Sequence, residues 1–355
     1  MTTPARHAKP FVIPIFIPHA GCRHRCVFCD QTRTTGQQEA FPSHTDIHAT
    51  IHRFLSYRRQ RDRLTEISFY GGNFLGIPPD RVAALLALGA GYVSTGVVDG
   101  LRFSTRPDTI TSEALQLIAG FPVSTIELGV QSMNNKVLAA CRRGHTASDT
   151  RRAIALLRMK PYRLGLQMMV GLPSDTPPQA LATGREIAAL APDFVRIYPT
   201  LVLKGSALHR WWIQGRYTPL ALDESVDLVR RLFTRFIRHN IPVIRMGLQP
   251  TEDLNTANGV AAGPFHPAFG ERVYSALWRA ALQKGLAARC HAHAAIEIAL
   301  HPSLVSRVRG YKNENYRWIQ QAFKPVRLCI QTDQDLPLDR VLINGVACPL
   351  IGDQN

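Results

Sequence analysis

Short apolar runs alternate with helical segments from residue 11 to residue 199, and that rhythm limits the fold more than any other feature of the chain. Strands are predicted at Phe11–Pro18, Glu66–Tyr70, Leu101–Thr105, Thr125–Val130, Arg163–Val170 and Asp193–Ile197. Between them, apolar residues at helical spacing predict helices over Asp46–Arg59, Pro79–Leu88, Thr111–Ala119, Ala147–Arg158 and Pro178–Leu190. Thr111 is a candidate N-cap, as is either Thr146 or Ser148. Repeated strand–helix units of one hand build a parallel sheet with helices outside it. Such sheets place their sites at the C-terminal ends of the strands. The pattern alone leaves a partial barrel and a doubly wound sheet equally open.

After residue 200 the rhythm changes. Ala207–Trp212 and Leu222–Arg238 read as helices, and Val243–Gly247 as one more strand. A loop rich in Gly, Pro and Asn follows from Leu248 to Pro267. Such length marks a functional loop or a domain junction. Phe269–Gln283 reads as a helix, and residues 294–347 as helix, helix, strand and hairpin. The expected division is a core over 1–247 and a small α+β extension over 248–355.

With 355 residues and a formal charge of +16, the chain calls for a polyanionic partner, and nucleic acid fits best. Seven scattered or clustered cysteines form no disulfide framework, so a reducing, cytoplasmic setting is expected. The first ten residues lack a secretory apolar segment, and no run approaches the roughly 18 apolar residues of a membrane span.

Three of the cysteines, Cys22, Cys26 and Cys29, lie at a C-x3-C-x2-C spacing directly after the first predicted strand. A structural zinc site wants a fourth ligand to close its tetrahedron, and His24 would have to fold back across its own backbone to supply it. Ferredoxin-type clusters want four cysteines. Three thiolates on one loop instead suit three irons of a cubane, leaving the fourth iron open.

This motif resembles that of the radical SAM enzymes, with Phe28 matching the aromatic that the family carries between its last two cysteines. The resemblance implies a partial (β/α)6 TIM barrel, a [4Fe-4S] cluster and S-adenosyl-L-methionine. It also implies an electron donor such as flavodoxin or ferredoxin. In that family the open iron chelates the amino and carboxylate groups of S-adenosylmethionine, and an electron cleaves the sulfonium to give a 5′-deoxyadenosyl radical. Gly71-Gly72-Asn73 stands where the family has a Gly-Gly-Glu-like motif for the methionine amino group, with Asn73 in place of the acid. Ser104 and Arg106, at the end of the next strand, match polar positions near the ribose. Glu127 and Gln131 share one strand face, and Arg106 or Arg196 is the expected partner for a buried Glu127 or for the methionine carboxylate.

A closer resemblance joins Ser104–Asp108, Ile126–Ser132, Arg143–Thr146 and Arg196–Val202 to the radical SAM half of the elongator catalytic subunit, which modifies wobble uridine in tRNA. Its acetyltransferase half has no counterpart here. Roughly a hundred residues follow the barrel without an acetyl-CoA pyrophosphate loop, and the barrel begins near residue 11, so only the radical module carries over. tRNA is therefore the expected substrate. The rivals are a radical SAM enzyme for a small molecule or tetrapyrrole, and a non-catalytic Fe–S RNA-binding protein.

Four further features bear on function. Arg142, Arg143, Arg151, Arg152, Arg158, Lys160 and Arg163 form either a phosphate track or a solvated face. Val308–Tyr316 contains a glycine-led basic turn similar to the loop of KH-type RNA modules, with Asn313 replacing its second glycine. His266 is the one candidate acid or base, in a loop expected over the barrel mouth. Cys290, His291 and His293 are too close in sequence to converge readily on a metal.

Overall fold

The computed structural model describes residues 10–31, 41–60, 63–248, 259–289 and 295–351. Strand β1 (Phe11–Phe16) precedes helix α1 (His44–Ser56), β2 (Thr65–Tyr70) precedes α2 (Pro79–Ser94), and β3 (Gly100–Thr105) precedes α3 (Ser112–Ile118). Strand β4 (Val123–Gln131) leads into two helices, α4 (Asn135–Ala140) and α5 (Ala147–Arg158). Then come β5 (Arg163–Val170), α6 (Pro177–Ala189), β6 (Phe194–Pro199), the short β7 (Val202–Leu203), α7 (Ala207–Ile213), α8 (Leu222–Arg238) and β8 (Val243–Met246).

These strands form one parallel sheet in the order β1-β2-β3-β4-β5-β6-β8. Each strand lies beside its predecessor along the chain, with no reversal of order. A doubly wound sheet needs such a reversal, so the sheet is a partial barrel. It has seven strands rather than six, because Val243–Met246 pairs in parallel with β6.

Alternate residues fix which face is which. Ile13 and Ile15 on β1, Ile17 just past its end, and Ile67 and Phe69 on β2 are buried in the layer beneath the outer helices. Helix α8 supplies Val226, Val229, Leu232, Phe233 and Phe236 to the same core. Side-chain caps start several helices. Thr111 accepts from the Ala114 N–H, and Thr146 with Asp149 makes a reciprocal capping box.

The inner face is polar. Glu127 on β4 lies between Arg102 on β3 and Arg196 on β6, with Arg102 Nε 2.7 Å from Oε1 and Arg196 Nε 2.6 Å from Oε2. Arg102 also donates to Glu66 on β2 at 3.1 Å, and Thr125 and Ser124 donate to the other Glu66 oxygen. Tyr70 donates to Glu127 at 2.9 Å and receives Arg196 at 2.8 Å. Burial opposes the charge on Arg102, yet Glu127 beside it holds that charge in place, above the ordinary value. Burial and Glu127 together push the Tyr70 phenol up to about 12.

The expected partner Arg196 is thus present. Arg106 is not: it closes on Asp108 through Nε and Nη2 at 2.9 and 3.1 Å. Arg102 fills the second place.

Strand β9 (Val260–Ala262) returns to pair antiparallel with β7 above the end of β6. Helix α9 (Phe269–Ala287) then joins two cores. Phe269, Val273 and Leu277 pack into the barrel layer, and Trp278, Ala281, Leu282 and Leu286 into a second core. That second core is covered by β10 (Ala295–Leu300), α10 (Val305–Arg309), α11 (Glu314–Phe323), β11 (Arg327–Thr332), β12 (Arg340–Ile343) and β13 (Val346–Pro349), with strand order β11-β10-β12-β13. Strand β10 was not expected, although Ile296, Ile298 and Leu300 alternate as buried residues. Among the described residues no helix is long and apolar enough to cross a membrane.

Arg102→Leu takes a guanidinium partner from each of two buried carboxylates, Glu66 and Glu127, and should lower unfolding free energy by about 3–5 kcal/mol. Combining it with Glu66→Gln and Glu127→Gln should recover part of that loss. Chemical denaturation checks both, and a single-variant loss below about 1 kcal/mol would remove the network as a stability element.

Candidate functional site

The cysteine loop lies across the C-terminal rim of the sheet and is held there at three points. The first hold is Asn73, just past β2 and 3% exposed. Its Nδ2 donates to the Gly21 carbonyl at 3.1 Å. Its Oδ1 accepts from Thr105 Oγ1, the Arg106 N–H and Thr109 Oγ1 at 2.7, 3.0 and 3.0 Å. Both ends of the amide are in use, so it braces the cysteine loop against the end of β3. A carboxylate could accept those three bonds but could not donate to Gly21. That requirement accounts for an amide at a position where the resemblance expects an acid.

Gly72 makes the approach possible. Its φ is 67°, and a Cβ there would lie 2.2 Å from the Ala20 carbonyl. Its N–H donates to Gln31 Oε1 at 2.6 Å, and Gly71 before it packs on Ile17. Gln31, two residues beyond Cys29, also bonds the His19 backbone and ring.

The second hold is Val27, between Cys26 and Cys29. It is buried with Val137, Cys141, Leu172, Leu208 and Tyr217, and Phe28 packs on the edge of that group. Its N–H donates to Cys141 at 3.1 Å, and its carbonyl accepts from Leu208 at 2.8 Å.

The third hold is Arg143, which donates from Nη1 to Cys26 Sγ at 3.2 Å and from Nη2 to the Gly129 carbonyl at 2.6 Å. Gly144 follows with φ 69°, and the His24 ring occupies the space that a side chain there would need. Arg143 is only 7% exposed and therefore offers nothing to a phosphate. The rest of the expected track is divided. Arg151 pairs with Glu186, Arg152 pairs with Asp149, and Arg158 donates to the Leu190 carbonyl. Lys160 and Arg163 lie at the opposite end of β5 from the cysteines.

His145 is buried against the Val130 carbonyl, with Nδ1 unpartnered. Burial, reinforced by Arg143, pushes its imidazole down to about 4. Gln131 ends β4 at a bulge with left-handed backbone, φ 65°, and accepts from Gln167 at 3.0 Å. Ser104, half-buried, lies in register beside Glu127. Cys22 stands within electrostatic reach of Arg106, Asp108 and Arg143. The structure therefore gathers Cys22, Cys26, Cys29, Gly71, Gly72, Asn73, Ser104, Arg106, Glu127, Gln131 and Arg196 on the inner face and C-terminal rim.

His266 contacts a different set of residues. Its Nδ1 accepts from Ala268 and its ring meets Tyr311 of the extension edge-on at 4.9 Å. Residues 290–294, with Cys290, His291 and His293, lie outside the described residues.

The donor set suits a cluster better than a single ion. All three thiols are free. Burial and the neighbouring cysteines push Cys22 and Cys29 upward, a repulsion that bound iron would relieve. Among the described residues no three His, Cys, Asp or Glu side chains could hold one metal ion. Cysteines that each bind a different iron need not converge on one point.

Two family profiles match the chain: the radical SAM superfamily over residues 16–186 and the radical SAM C-terminal domain over residues 192–279. The chain belongs to the radical SAM superfamily. Radical SAM enzymes use a [4Fe-4S] cluster and S-adenosylmethionine. Among its relatives, the tRNA uridine(34) acetyltransferase of Dehalococcoides mccartyi is 29% identical over 240 residues, covering 59% of this chain and 52% of that protein. An uncharacterized protein of Methanocaldococcus jannaschii is 26% identical over 245 residues, covering 66% of this chain and 74% of that one. The archaeal Elp3 of Methanocaldococcus infernus, with its N-terminus deleted, shares the fold at a TM-score of 0.60 and 21% identity, over 79% of this chain and 64% of that one. The chain thus spans about half the length of the D. mccartyi relative.

Asn73→Asp exchanges the donor to Gly21 for a second acceptor. It should cost about 1–3 kcal/mol of stability and lower the iron retained after reconstitution. Denaturation and iron analysis check this, and full iron loading at unchanged stability would rule out the brace. Above its ordinary pKa of about 6.5, His145 is neutral whether the chain is folded or not. As pH falls below that, the unfolded chain gains a proton that the native one refuses down to about 4, so native stability declines. His145→Gln should remove about 2 kcal/mol of the stability difference between pH 7 and pH 5. An unchanged difference would contradict the buried neutral imidazole.

Proposed function

We propose that this chain reductively cleaves S-adenosylmethionine at a [4Fe-4S] cluster and so starts a radical modification of tRNA. The observation that carries the reading is the three-point support of a loop bearing three free cysteines over a polar barrel interior. Cys22, Cys26 and Cys29 would hold three irons, and Arg143 offsets the negative charge gathered on the sulfurs. When bound, the cluster supplies one electron to the sulfonium of S-adenosylmethionine.

The protein's share is binding, orientation and exclusion of water. Gly71 and Gly72 bring backbone close to the loop without side chains. Ser104, Arg106, Glu127, Gln131 and Arg196 line the inner face on which the methionine and nucleoside parts would rest. The Asn73 side chain serves this site by fixing the loop, since its own polar atoms are occupied. His266, whose ring meets Tyr311 of the extension, stays the one candidate acid or base.

tRNA is supported by the likeness to the D. mccartyi tRNA uridine(34) acetyltransferase and by the +16 charge. The group transferred in that relative is a property of the longer protein, and only the radical step is proposed here.

Anaerobic reconstitution, reduction and addition of S-adenosylmethionine should yield 5′-deoxyadenosine, more with bulk tRNA than without. Cys26→Ala should reduce the yield by at least about a hundredfold, the scale of losing a barrier contribution near 3 kcal/mol. Product that ignores tRNA would transfer the substrate to a small molecule. No product from a fully loaded protein would end the catalytic reading.

A further inference from the structure

Helices α10 and α11 are joined by Gly310-Tyr311-Lys312-Asn313, and the strands flanking the pair, β10 and β11, lie side by side in parallel. Gly310, Lys312 and Asn313 have φ values of 80°, 50° and 63°. The turn is therefore a fixed knuckle, with Lys312 and Asn313 exposed at its tip.

Its base is locked to α9. The Tyr311 N–H donates to Ser275 Oγ at 3.0 Å. The buried Asn315 donates from Nδ2 to the carbonyls of Ser275 and Val308 at 2.9 and 3.2 Å. Arg317 reaches back to the Lys312 carbonyl at 2.8 Å. A knuckle held this firmly loses little further freedom when it meets a partner.

The charge around it is arranged in an unusual way. Arg272 and Lys312 lie over the Tyr311 ring at 5.1 and 5.5 Å, and Arg309 lies over Tyr316 at 5.1 Å. An aromatic face orients a cation without neutralising it. Among the described residues, Arg309, Lys312 and Arg317 form no ion pair with a carboxylate. Arg272 does, with Asp223 at 2.9 Å. The knuckle thus presents cations and flat rings together, which is what a nucleotide chain of alternating phosphates and bases needs.

Its position is equally specific. The Tyr311 ring meets His266, in the segment between β9 and α9. Strand β9 pairs with β7, which directly follows β6 at the sheet end that also carries the cysteine loop. The knuckle therefore stands beside the rim of the barrel mouth.

We propose that Gly310–Asn313 and the cations around it are a contact for the RNA backbone, holding a polynucleotide beside the barrel mouth. The inference rests on tRNA being the substrate. Lys312, Arg309 and Arg317 meet phosphates, the first two oriented by the Tyr311 and Tyr316 rings.

The test measures binding of bulk tRNA to the full chain across a salt series. Lys312→Asp with Asn313→Asp changes three charges at the knuckle. Aspartate tolerates left-handed backbone, so the turn should keep its shape. Met159→Asp with Lys160→Asp makes the same change of charge at exposed positions far from the mouth. The knuckle variant should lose at least about tenfold in affinity, and its salt slope should become shallower by about one per phosphate contact removed. The distant variant should lose less than about threefold. Thermal unfolding of both should match the parent. Equal losses would mean that the general field of the chain binds RNA and would overturn the inference. Undiminished binding by a folded knuckle variant would also overturn it, leaving the knuckle for an acidic protein partner. No tRNA binding by the parent chain would instead remove the reading on which the inference rests.

Discussion

A carboxylate held between two guanidinium groups sets the shape of this protein. The sheet is open, with β1 and β8 at its edges, so no ring of hydrogen bonds enforces its curvature. Glu127 supplies a cross-tie instead. Through Arg102, Arg196 and Tyr70 it connects β2, β3, β4 and β6 across the concave face. Removing these charges from water is costly, and the cost is offset only while every member keeps its partners. The arrangement consequently favours one curvature, and with it one spacing among the strand ends above.

Those strand ends determine the cysteine loop more than the loop determines itself. Asn73 ties Gly21 to the end of β3, Val27 is inserted among side chains from α4, β7 and α7, and Arg143 grips Cys26 from beyond β4. Each support comes from a part of the sequence remote from the cysteines. Supports of this kind preorganise the loop, as a reactive site requires.

Much of this was legible in the chain, because the relevant signals are local. Alternating apolar runs, N-cap residues and a three-cysteine spacing each act over a few positions. What escaped was set by long-range placement. Arg102 sits between Leu101 and Phe103 and reads as an oddity in a core strand until β2 and β4 bring Glu66 and Glu127 to it. Arg143 resembles its exposed neighbour Arg142 in sequence, and only the fold shows that the Gly129 carbonyl and Cys26 draw it inside. Arg106 was close enough to be assigned to Glu127, yet Asp108, two residues away, claimed it. The role of Asn73 depended on a carbonyl 52 residues distant.

Helix α9 gives the molecule a property that neither half has alone. One rod of 19 residues is embedded in the barrel layer by Phe269, Val273 and Leu277 and in the second core by Trp278, Ala281, Leu282 and Leu286. Such a rod cannot act as a hinge without breaking its own hydrogen bonds. The extension therefore moves with the barrel as a lever moves with its fulcrum, and distances from its surface to the cysteines are preserved. A cut through the helix would leave an apolar stump on each fragment, so the two cores are expected to melt together rather than in turn.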